Sequence, residues 1–251
     1  MKITPRLPVL AAILVAALAS AATPTRSAHP NALWDVVHDL CQKDKWFTGR
    51  PAPCLAVDRA LGVAVVPDLR SPTQVLVVPT RRITGIESPA LLEPGAINYW
   101  QAAWDERRYF ERRARRPVPR DRIGMAINSI SARSQNQLHI HVDCVRPQVR
   151  QALIEREDEI GPAWTMLSIP LVGRHYRVRR LDGSELGTRN PFKLLAHGEP
   201  EAGANMGRQS MATIGVTFSD GSPGFVLLAN DANGAFAESL LDHSCAVLSQ
   251  P

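Results

Sequence analysis

Two histidines and a glutamine alternate with apolar residues along positions 134–142, a pattern typical of a half-buried β-strand. Because successive strand side chains point to opposite faces, Gln137, His139 and His141 are predicted to share one face. Two imidazoles and an amide held in a row on a rigid element have the chemistry to bind or attack a phosphate group. The other face receives three apolar residues that can enter a core, namely Leu138, Ile140 and Val142.

Three interpretations compete for this row. A surface strand can carry two histidines without any function, and a metal site can use them as neutral imidazole ligands. A metal needs further ligands, but the chain has no second His-x-His motif and no Cys-x-x-Cys motif, and Asp143 is predicted to point away from the histidines. The third interpretation is nucleophilic catalysis, in which a neutral imidazole attacks phosphorus and water splits the covalent intermediate. We therefore expect neither a metal nor a cofactor.

The segment resembles the histidine-triad (HIT-like) superfamily, whose signature alternates three histidines with apolar residues and uses the middle histidine as the nucleophile. The run QVLVVP (74–79) is similar to a strand of that superfamily. Within the superfamily, the chain resembles the CDP-diacylglycerol pyrophosphatase family from about position 33 to its end. The stretches that carry this resemblance are LWDVVHDLC (33–41), RITGIESP (82–89), QNQLHIH (135–141) and DHSC (242–245).

The resemblance implies an α+β fold, HIT-like, with a mostly antiparallel sheet, a helix packed across it and a β-rich C-terminal extension. It also implies hydrolysis of CDP-diacylglycerol to phosphatidate and CMP. In this scheme His139 attacks the CMP phosphorus and His141 helps to hold the phosphate. Asn128, Ser134 and Gln137 are the further candidates for contact with the substrate's phosphates.

The chain departs from the superfamily at the first triad position, where it has Gln137 instead of a histidine. An amide can orient a phosphate or a carbonyl group, but it cannot carry a proton charge. A role that needs an ionisable first histidine is therefore not carried over. The loss can be tolerated because a phosphate monoester, with a second pKa of about 6, leaves as a stable anion.

Two other functions remain compatible with the sequence. One is a different nucleotide pyrophosphatase or nucleotidyl transferase that uses the same histidine, because the motif recognises the phosphate and not the lipid. The other is a non-catalytic exported protein that binds a lipid or a nucleotide. Trapping a covalent CMP adduct separates the enzymes from the binding protein, and comparing CDP-diacylglycerol with water-soluble CDP esters separates the two enzymes.

The first residues are typical of a secretory signal, because Lys2 and Arg6 precede an apolar run and small residues then offer a cleavage site. Positions 7–22 comprise 16 residues, fewer than the roughly 20 apolar residues of a spanning helix, so cleavage and anchoring both stay open. We predict a signal peptide or N-terminal membrane anchor at 1–22, a linker at 23–30 and one catalytic domain at 31–251. The expected location is the bacterial periplasm, with the protein associated with or anchored to the inner membrane.

Four cysteines fit an oxidising compartment, where an even number favours disulfides. Four cysteines allow three connectivities. Cys41 and Cys54 flank a short loop with one glycine and two prolines, so a local bridge between them is geometrically easy. That leaves Cys144, at the end of the histidine strand, to pair with Cys245 near the C-terminus.

A helix is predicted at 95–116, where apolar residues recur at helical spacing at positions 100, 103, 104, 110 and 114. Arg107 falls on the same stripe, so it either extends along apolar surface or supports a phosphate near the site. Eight arginines occupy positions 107–122, while the net charge of the chain is only +5. No nucleic-acid recognition motif accompanies them, so the expected partners are CDP-diacylglycerol and an anionic membrane surface. The sequence defines no oligomeric state.

The remaining elements are assigned from periodicity and turn residues. A helix is predicted to begin after Asn31, and the lone histidines His175, His197 and His243 are interpreted as structural or surface residues. Strands are predicted at 55–57, 62–66, 74–78, 122–127, 165–172 and 176–180, a hairpin at 211–218 and 224–229, and a second long helix at 148–159.

Overall fold

The computed structural model describes residues 29–232 and 234–249. The predicted signal or anchor at 1–22, and most of the predicted linker at 23–30, lie outside the described residues. Within the described ranges, no helix combines the length and the apolar composition that a membrane crossing requires.

The described part of the chain contains ten strands and seven α-helices. The strands are β1 Ala56–Asp58, β2 Val63–Pro67, β3 Val75–Pro79, β4 Ile123–Ile127, β5 Ile140–Val145, β6 Thr165–Met166, β7 Arg177–Asp182, β8 Ser210–Thr217, β9 Pro223–Asn230 and β10 Leu241–Asp242. The helices are α1 Ala32–Asp35, α2 Gln42–Thr48, α3 Tyr99–Asp105, α4 Arg107–Ala114, α5 Pro147–Glu155, α6 Pro191–Gly198 and α7 Pro200–Ala204.

All ten strands join one sheet, in the order β1-β2-β3-β5-β4-β8-β9-β7-β6, and β10 pairs with β5. Every pairing is antiparallel. The fold is therefore α+β, as the sequence predicted. The C-terminal strands continue the same sheet, since β8 pairs with β4 along four residues.

One face of the sheet packs against α3 and α4. Trp100, Trp104 and Phe110 from these helices share a buried cluster with Ile140 and Val142 of β5. The aromatic rings exclude water from the centre of the sheet, and burial of such large side chains contributes much of the stability of a core. This cluster fixes which way the alternating residues of β5 must point.

The other face of the sheet is covered in two separate parts. The N-terminal helical segment packs Val37 and Cys41 against Ala64 and Val78 of β2 and β3. The helix α5, together with residues 237–241, packs against β4, β8 and β9. Between these two covers lies the part of β5 that carries the histidines.

The strand prediction at 134–142 was wrong at its start. The strand β5 begins at Ile140 and continues to Val145, while residues 134–139 form an irregular segment. The amide of Asn136 donates to the carbonyl of Pro30, and that of Leu138 donates to Ile83, so this segment pairs with loops instead of a strand. The strand predicted at 165–172 was likewise too long, since only Thr165–Met166 pairs.

The predicted helix at 95–116 is divided into α3 and α4, which meet at Glu106. The first begins after Asn98, whose side chain accepts a hydrogen bond from the amide of Gln101, as an N-cap should. The second ends where Arg115 adopts a left-handed conformation with φ of 58°, two residues before Pro117. The short helices α6 and α7 were not predicted.

Both disulfides have the predicted connectivity, Cys41–Cys54 and Cys144–Cys245. The second bridge joins the penultimate residue of β5 to the segment that follows β10. Disulfides form and persist in oxidising compartments, so the two bridges indicate an exported protein.

Replacing both Cys144 and Cys245 by serine should lower the free energy of unfolding by about 2–5 kcal/mol, because the bridge closes a loop with a sequence separation of 101. Urea denaturation measures this change. Turnover should also fall, since the bridge holds the C-terminal segment beside β5. The matched control is the Cys41→Ser, Cys54→Ser pair, whose loop has a separation of only 13. Equal losses of turnover in the two double variants would contradict the special role of the Cys144–Cys245 bridge.

Candidate active site

The strand β5 places His141 and Asp143 on the face opposite the aromatic core. The neighbours of His141 across the sheet are Leu76 on β3 and Ala126 on β4. The prediction that Asp143 points away from the histidines was wrong, because residues two apart on a strand share a face. His141 is 6% exposed and Asp143 is fully buried, so both polar side chains need partners inside the protein.

His139 lies immediately before β5, and its ring is oriented by its own segment. Its Nδ1 atom is 2.7 Å from the carbonyl oxygen of Gln137. A carbonyl can only accept, so Nδ1 carries the hydrogen and Nε2 carries the lone pair. Burial lowers the pKa of His139 below the usual histidine value. In its neutral form the ring therefore presents the lone pair of Nε2, which is the type of atom that can attack an electrophile.

His141 stands beside His139, with ring centroids 4.9 Å apart and the rings at 67°. Its Nδ1 atom is 3.2 Å from Oε1 of Glu238 and 3.3 Å from Oε1 of Gln74. Burial holds the pKa of His141 well below the usual value, and the neighbouring His139 lowers it further. Because its pKa is lowered, the neutral ring is favoured, and its Nδ1 hydrogen donates to Oε1 of Glu238.

Asn128 fixes Glu238 in this position through two hydrogen bonds. Its Nδ2 atom donates to Oε2 of Glu238 at 3.0 Å, and its Oδ1 atom accepts from the backbone amide of Glu238 at 3.1 Å. The sequence prediction brought Asn128 to the site, and the structure places it one residue after β4, in contact with the carboxylate that meets His141. The side chain is 5% exposed.

A third imidazole comes from the C-terminal segment. His243 Nδ1 lies 2.8 Å from Oδ2 of Asp143, and Nε2 lies 3.8 Å from Oε1 of Glu238. The hydrogen bond to Asp143 raises the pKa of His243 above the usual histidine value. His139 and His141, with lowered pKa values, and His243, with a raised pKa, therefore belong to one cluster, in which Glu238 contacts His141 and His243.

The loop between β2 and β3 closes the other side of Asp143. Thr73 donates its hydroxyl to Oδ1 of Asp143 at 2.7 Å, and Ser71 lies 3.4 Å from Oδ2. The guanidinium of Arg113 on α4 donates to three carbonyl groups of this loop, those of Asp68, Ser71 and Thr73. Arg113 thus positions the loop, a role that the sequence did not distinguish among the eight arginines.

Gln137 does not take the phosphate-binding place that the sequence suggested. Its side chain is fully buried, and its Nε2 atom donates to the carbonyls of Pro79 and Arg81 at 3.0 and 2.9 Å. Its Oε1 atom accepts from the amide of Ile83 at 3.3 Å. Both hydrogens of the amide are used by main-chain carbonyls, so Gln137 ties the loop after β3 to the segment that carries His139.

Arg107 and Ser134 are likewise not joined to the histidines. Arg107 donates to the carbonyl of Trp104 and lies over its indole at 4.3 Å, on the helix that packs against the opposite face of the sheet. Of the two roles that the sequence allowed for Arg107, the structure contradicts support of a phosphate, since the guanidinium contacts Trp104 of α3. Ser134 is exposed in the segment before β5, and no contact between its hydroxyl and the site is found among the described residues.

The cluster also contains groups of the kind that bind metals. Asp68, His141 and Glu238 have ligand atoms within 4.8 Å of one another. Asp143 is close to the sulfur atoms of Cys144 and Cys245, but these are joined in a disulfide and are not thiolate ligands. Contrary to the sequence prediction, further groups that can bind a metal therefore lie near His141.

Only some of these residues could be recognised from the sequence. The stretch DHSC contributed to the family resemblance, yet His243 itself was interpreted as a structural or surface residue. Glu238 lies in a segment without any motif, and Gln74 was noted only as the first residue of the run QVLVVP. Both side chains contact His141, from which they are 97 and 67 positions away in the chain, so only the fold brings them to the site.

A model of the CDP-diacylglycerol pyrophosphatase family matches residues 28–249, which is most of the chain. The matched range includes β5, the loop between β2 and β3, and the segment with Glu238 and His243. The family consists of hydrolases that act on a pyrophosphate bond.

Replacing Gln137 by leucine should lower the free energy of unfolding by about 1–3 kcal/mol, because two carbonyl groups and one amide lose their partner. The kcat should also fall, since the carbonyl that orients His139 belongs to the same residue. Chemical denaturation and steady-state kinetics measure the two effects. Gln151→Leu is the matched control, because its amide contacts only the exposed Glu155 on α5. A Gln137→Leu protein as stable and active as this control would show that the buried hydrogen bonds are unimportant.

Proposed function

The chain belongs to the CDP-diacylglycerol pyrophosphatase family, and we propose that it hydrolyses CDP-diacylglycerol through a covalent intermediate on His139. The products are phosphatidate and CMP. The single observation that supports this route best is the hydrogen bond between Nδ1 of His139 and the carbonyl of Gln137. It fixes the tautomer and the direction of the ring, as nucleophilic catalysis by an imidazole requires.

The first step forms a bond between Nε2 of His139 and the phosphorus of the CMP moiety. The bond from that phosphorus to the bridging oxygen breaks, and its electron pair leaves with phosphatidate. Attack gives the imidazole a positive charge, and the carbonyl of Gln137 stabilises that charge through the Nδ1 hydrogen. The lowered pKa of His139 keeps the ring neutral, and so reactive, down to a pH below the usual histidine range.

The second step is attack of water on the same phosphorus, which breaks the phosphorus–nitrogen bond and releases CMP. Glu238 is a candidate to orient that water, because its carboxylate is 15% exposed and touches His141. Asn128 holds this carboxylate in place. In this scheme His141 directs its Nδ1 hydrogen to Glu238 and so helps to position this carboxylate beside the nucleophile, and it is not the nucleophile itself.

We also propose that the fold is HIT-like, since an antiparallel sheet with helices α3 and α4 across one face carries the histidines on the other. Association with the inner membrane is part of the same proposal, because the substrate is a lipid and the two disulfides indicate export. Five of the eight arginines at 107–122 have hydrogen bonds within the chain. The exposed Arg112, Arg115 and Arg116 are therefore the ones available to anionic lipid.

Replacing His139 by alanine should lower turnover of CDP-diacylglycerol by more than about a thousandfold, because the attacking atom is lost. The fold should remain, since the apolar core lies on the other face of the sheet. Product analysis in detergent gives the rate, and peptide mapping after rapid alkaline quenching should find CMP attached to His139 in the wild-type protein. His197→Ala on α6 is the control. If His139→Ala keeps more than a tenth of the activity, His139 is not the nucleophile.

The membrane part has its own test. Changing Arg112, Arg115 and Arg116 to serine should weaken binding to phosphatidylglycerol vesicles by about 1 kcal/mol per charge at low ionic strength. Turnover of a water-soluble CDP ester should not change, because these residues lie on or just after α4, across the sheet from the histidines. Sedimentation with vesicles measures binding, and Arg208→Ser is a control for an exposed arginine elsewhere. Unchanged binding of the triple variant would show that another surface meets the membrane.

A further inference from the structure

His243 is the one imidazole of the cluster that the proposed attack does not use. It differs from its two neighbours in accessibility, since its side chain is 45% exposed whereas that of His141 is 7% exposed. It also comes from a different part of the chain, one residue after β10. A half-exposed ring beside two buried rings is placed where a substrate group outside the protein can meet it.

The position of the His243 ring is set by a buried carboxylate. Asp143 has no exposed surface, and its Oδ2 atom lies 2.8 Å from Nδ1 of His243. Its other oxygen accepts hydrogen bonds from the hydroxyl of Thr73 at 2.7 Å and the amide of Cys144 at 2.9 Å. The disulfide to Cys245 then ties the chain two residues beyond His243 to the same strand. These contacts leave the ring little freedom and turn Nε2 away from Asp143.

The Nε2 side of the His243 ring faces a place that already holds an anionic group. Oε1 of Glu238 is 3.8 Å from this Nε2 atom and 3.2 Å from Nδ1 of His141. The other oxygen of Glu238 accepts from the amide of Asn128 at 3.0 Å. Two imidazoles and an amide thus converge on one carboxylate, next to the nucleophile that must meet a diphosphate.

We propose that His243 is a further catalytic residue that binds, as an imidazolium, the phosphate that departs with the lipid. Asp143 is its positioning residue. This inference rests on the proposed function, because it assumes that His139 attacks the phosphorus of the CMP moiety. In this proposal the C-terminal segment supplies a cationic group, which the uncharged side chain of Gln137 cannot supply.

The step needs no additional reactant. When the bond between the CMP phosphorus and the bridging oxygen breaks, the electron pair remains on that oxygen, and the departing phosphate gains a negative charge. His243 keeps its proton and stabilises this charge by a charge-assisted hydrogen bond from Nε2. Phosphatidate then leaves as an anion, and no proton transfer to it is required.

The charges around His243 favour its protonated form. Asp143 on β5 is in direct contact, Glu238 faces the ring from the segment before β10, and Asp68 contributes from the loop after β2. The hydrogen bond to Asp143 is the largest cause of the raised pKa of His243, and burial acts against it. His141 also faces this region, but its own lowered pKa leaves it neutral. The cation is present below the raised pKa and is lost as the pH rises through it.

His243→Gln separates this role from a structural one when two substrates are compared. A water-soluble CDP ester has the departing phosphate, whereas the p-nitrophenyl ester of CMP has a leaving group without one. The variant should lose about 100-fold in kcat/KM on the CDP ester, the scale seen when one charge-stabilising donor is removed. It should lose little on the p-nitrophenyl ester, which makes the same bond to His139. His197→Gln is the control for loss of a histidine elsewhere.

The pH profile gives a second readout. The wild-type rate on the CDP ester should fall on the alkaline side as His243 loses its proton, and His243→Gln should lack this fall. Asp143→Asn should move the fall to lower pH, because the contact that raises the pKa is weakened. Equal losses on both substrates, or no loss on either, would overturn the role of His243. Failure of the proposed function is recognised separately, because His139→Ala would then remain active.

Discussion

The requirement that buried polar groups find partners governs the structure around β5. The aromatic core under α3 and α4 takes Ile140 and Val142, and strand alternation then forces His141 and Asp143 onto the other face, where both are buried. A buried imidazole or carboxylate without partners would cost several kcal/mol, so each is paired with groups from distant parts of the chain. The site therefore consists of His141, Asp143 and the groups that form hydrogen bonds with these two buried side chains.

Those partners come from three separate segments, and no single sequence motif contains them all. Thr73 in the loop after β2 contacts Asp143, and Glu238 in the segment before β10 contacts His141. His243, directly after β10, also contacts Asp143. The Cys144–Cys245 bridge and the pairing of β10 with β5 hold the last two against the strand. The same covalent and hydrogen-bonded ties therefore serve stability and the geometry of the imidazoles.

The sequence predicted the α+β class, most strands within one or two residues and both disulfides. The strands and the Cys41–Cys54 bridge follow from alternation, turn residues and loop length, which are local properties, and the Cys144–Cys245 bridge was left by elimination. Prediction from the sequence failed at positions whose conformation depends on contacts with distant parts of the chain. Residues 134–139 alternate like a strand but pair with loops, because the side-chain amide of Gln137 forms hydrogen bonds with the main chain of residues 79–83. Arg107 has the right chemistry for phosphate, yet it belongs to the helix on the wrong face.

The proposed double displacement at the CMP phosphorus determines the configuration of the product at that phosphorus, which stereochemical analysis can measure. CDP-diacylglycerol with a chiral phosphorothioate at the CMP phosphorus should be hydrolysed in ¹⁸O-labelled water, and the configuration of the resulting CMP thio-analogue determined. Attack by His139 followed by attack by water inverts the configuration at phosphorus twice, so we expect net retention with the label in the CMP product. Net inversion would mean that water attacks directly, and label in phosphatidate would mean that the wrong phosphorus had been assigned; either result would contradict a covalent intermediate on His139.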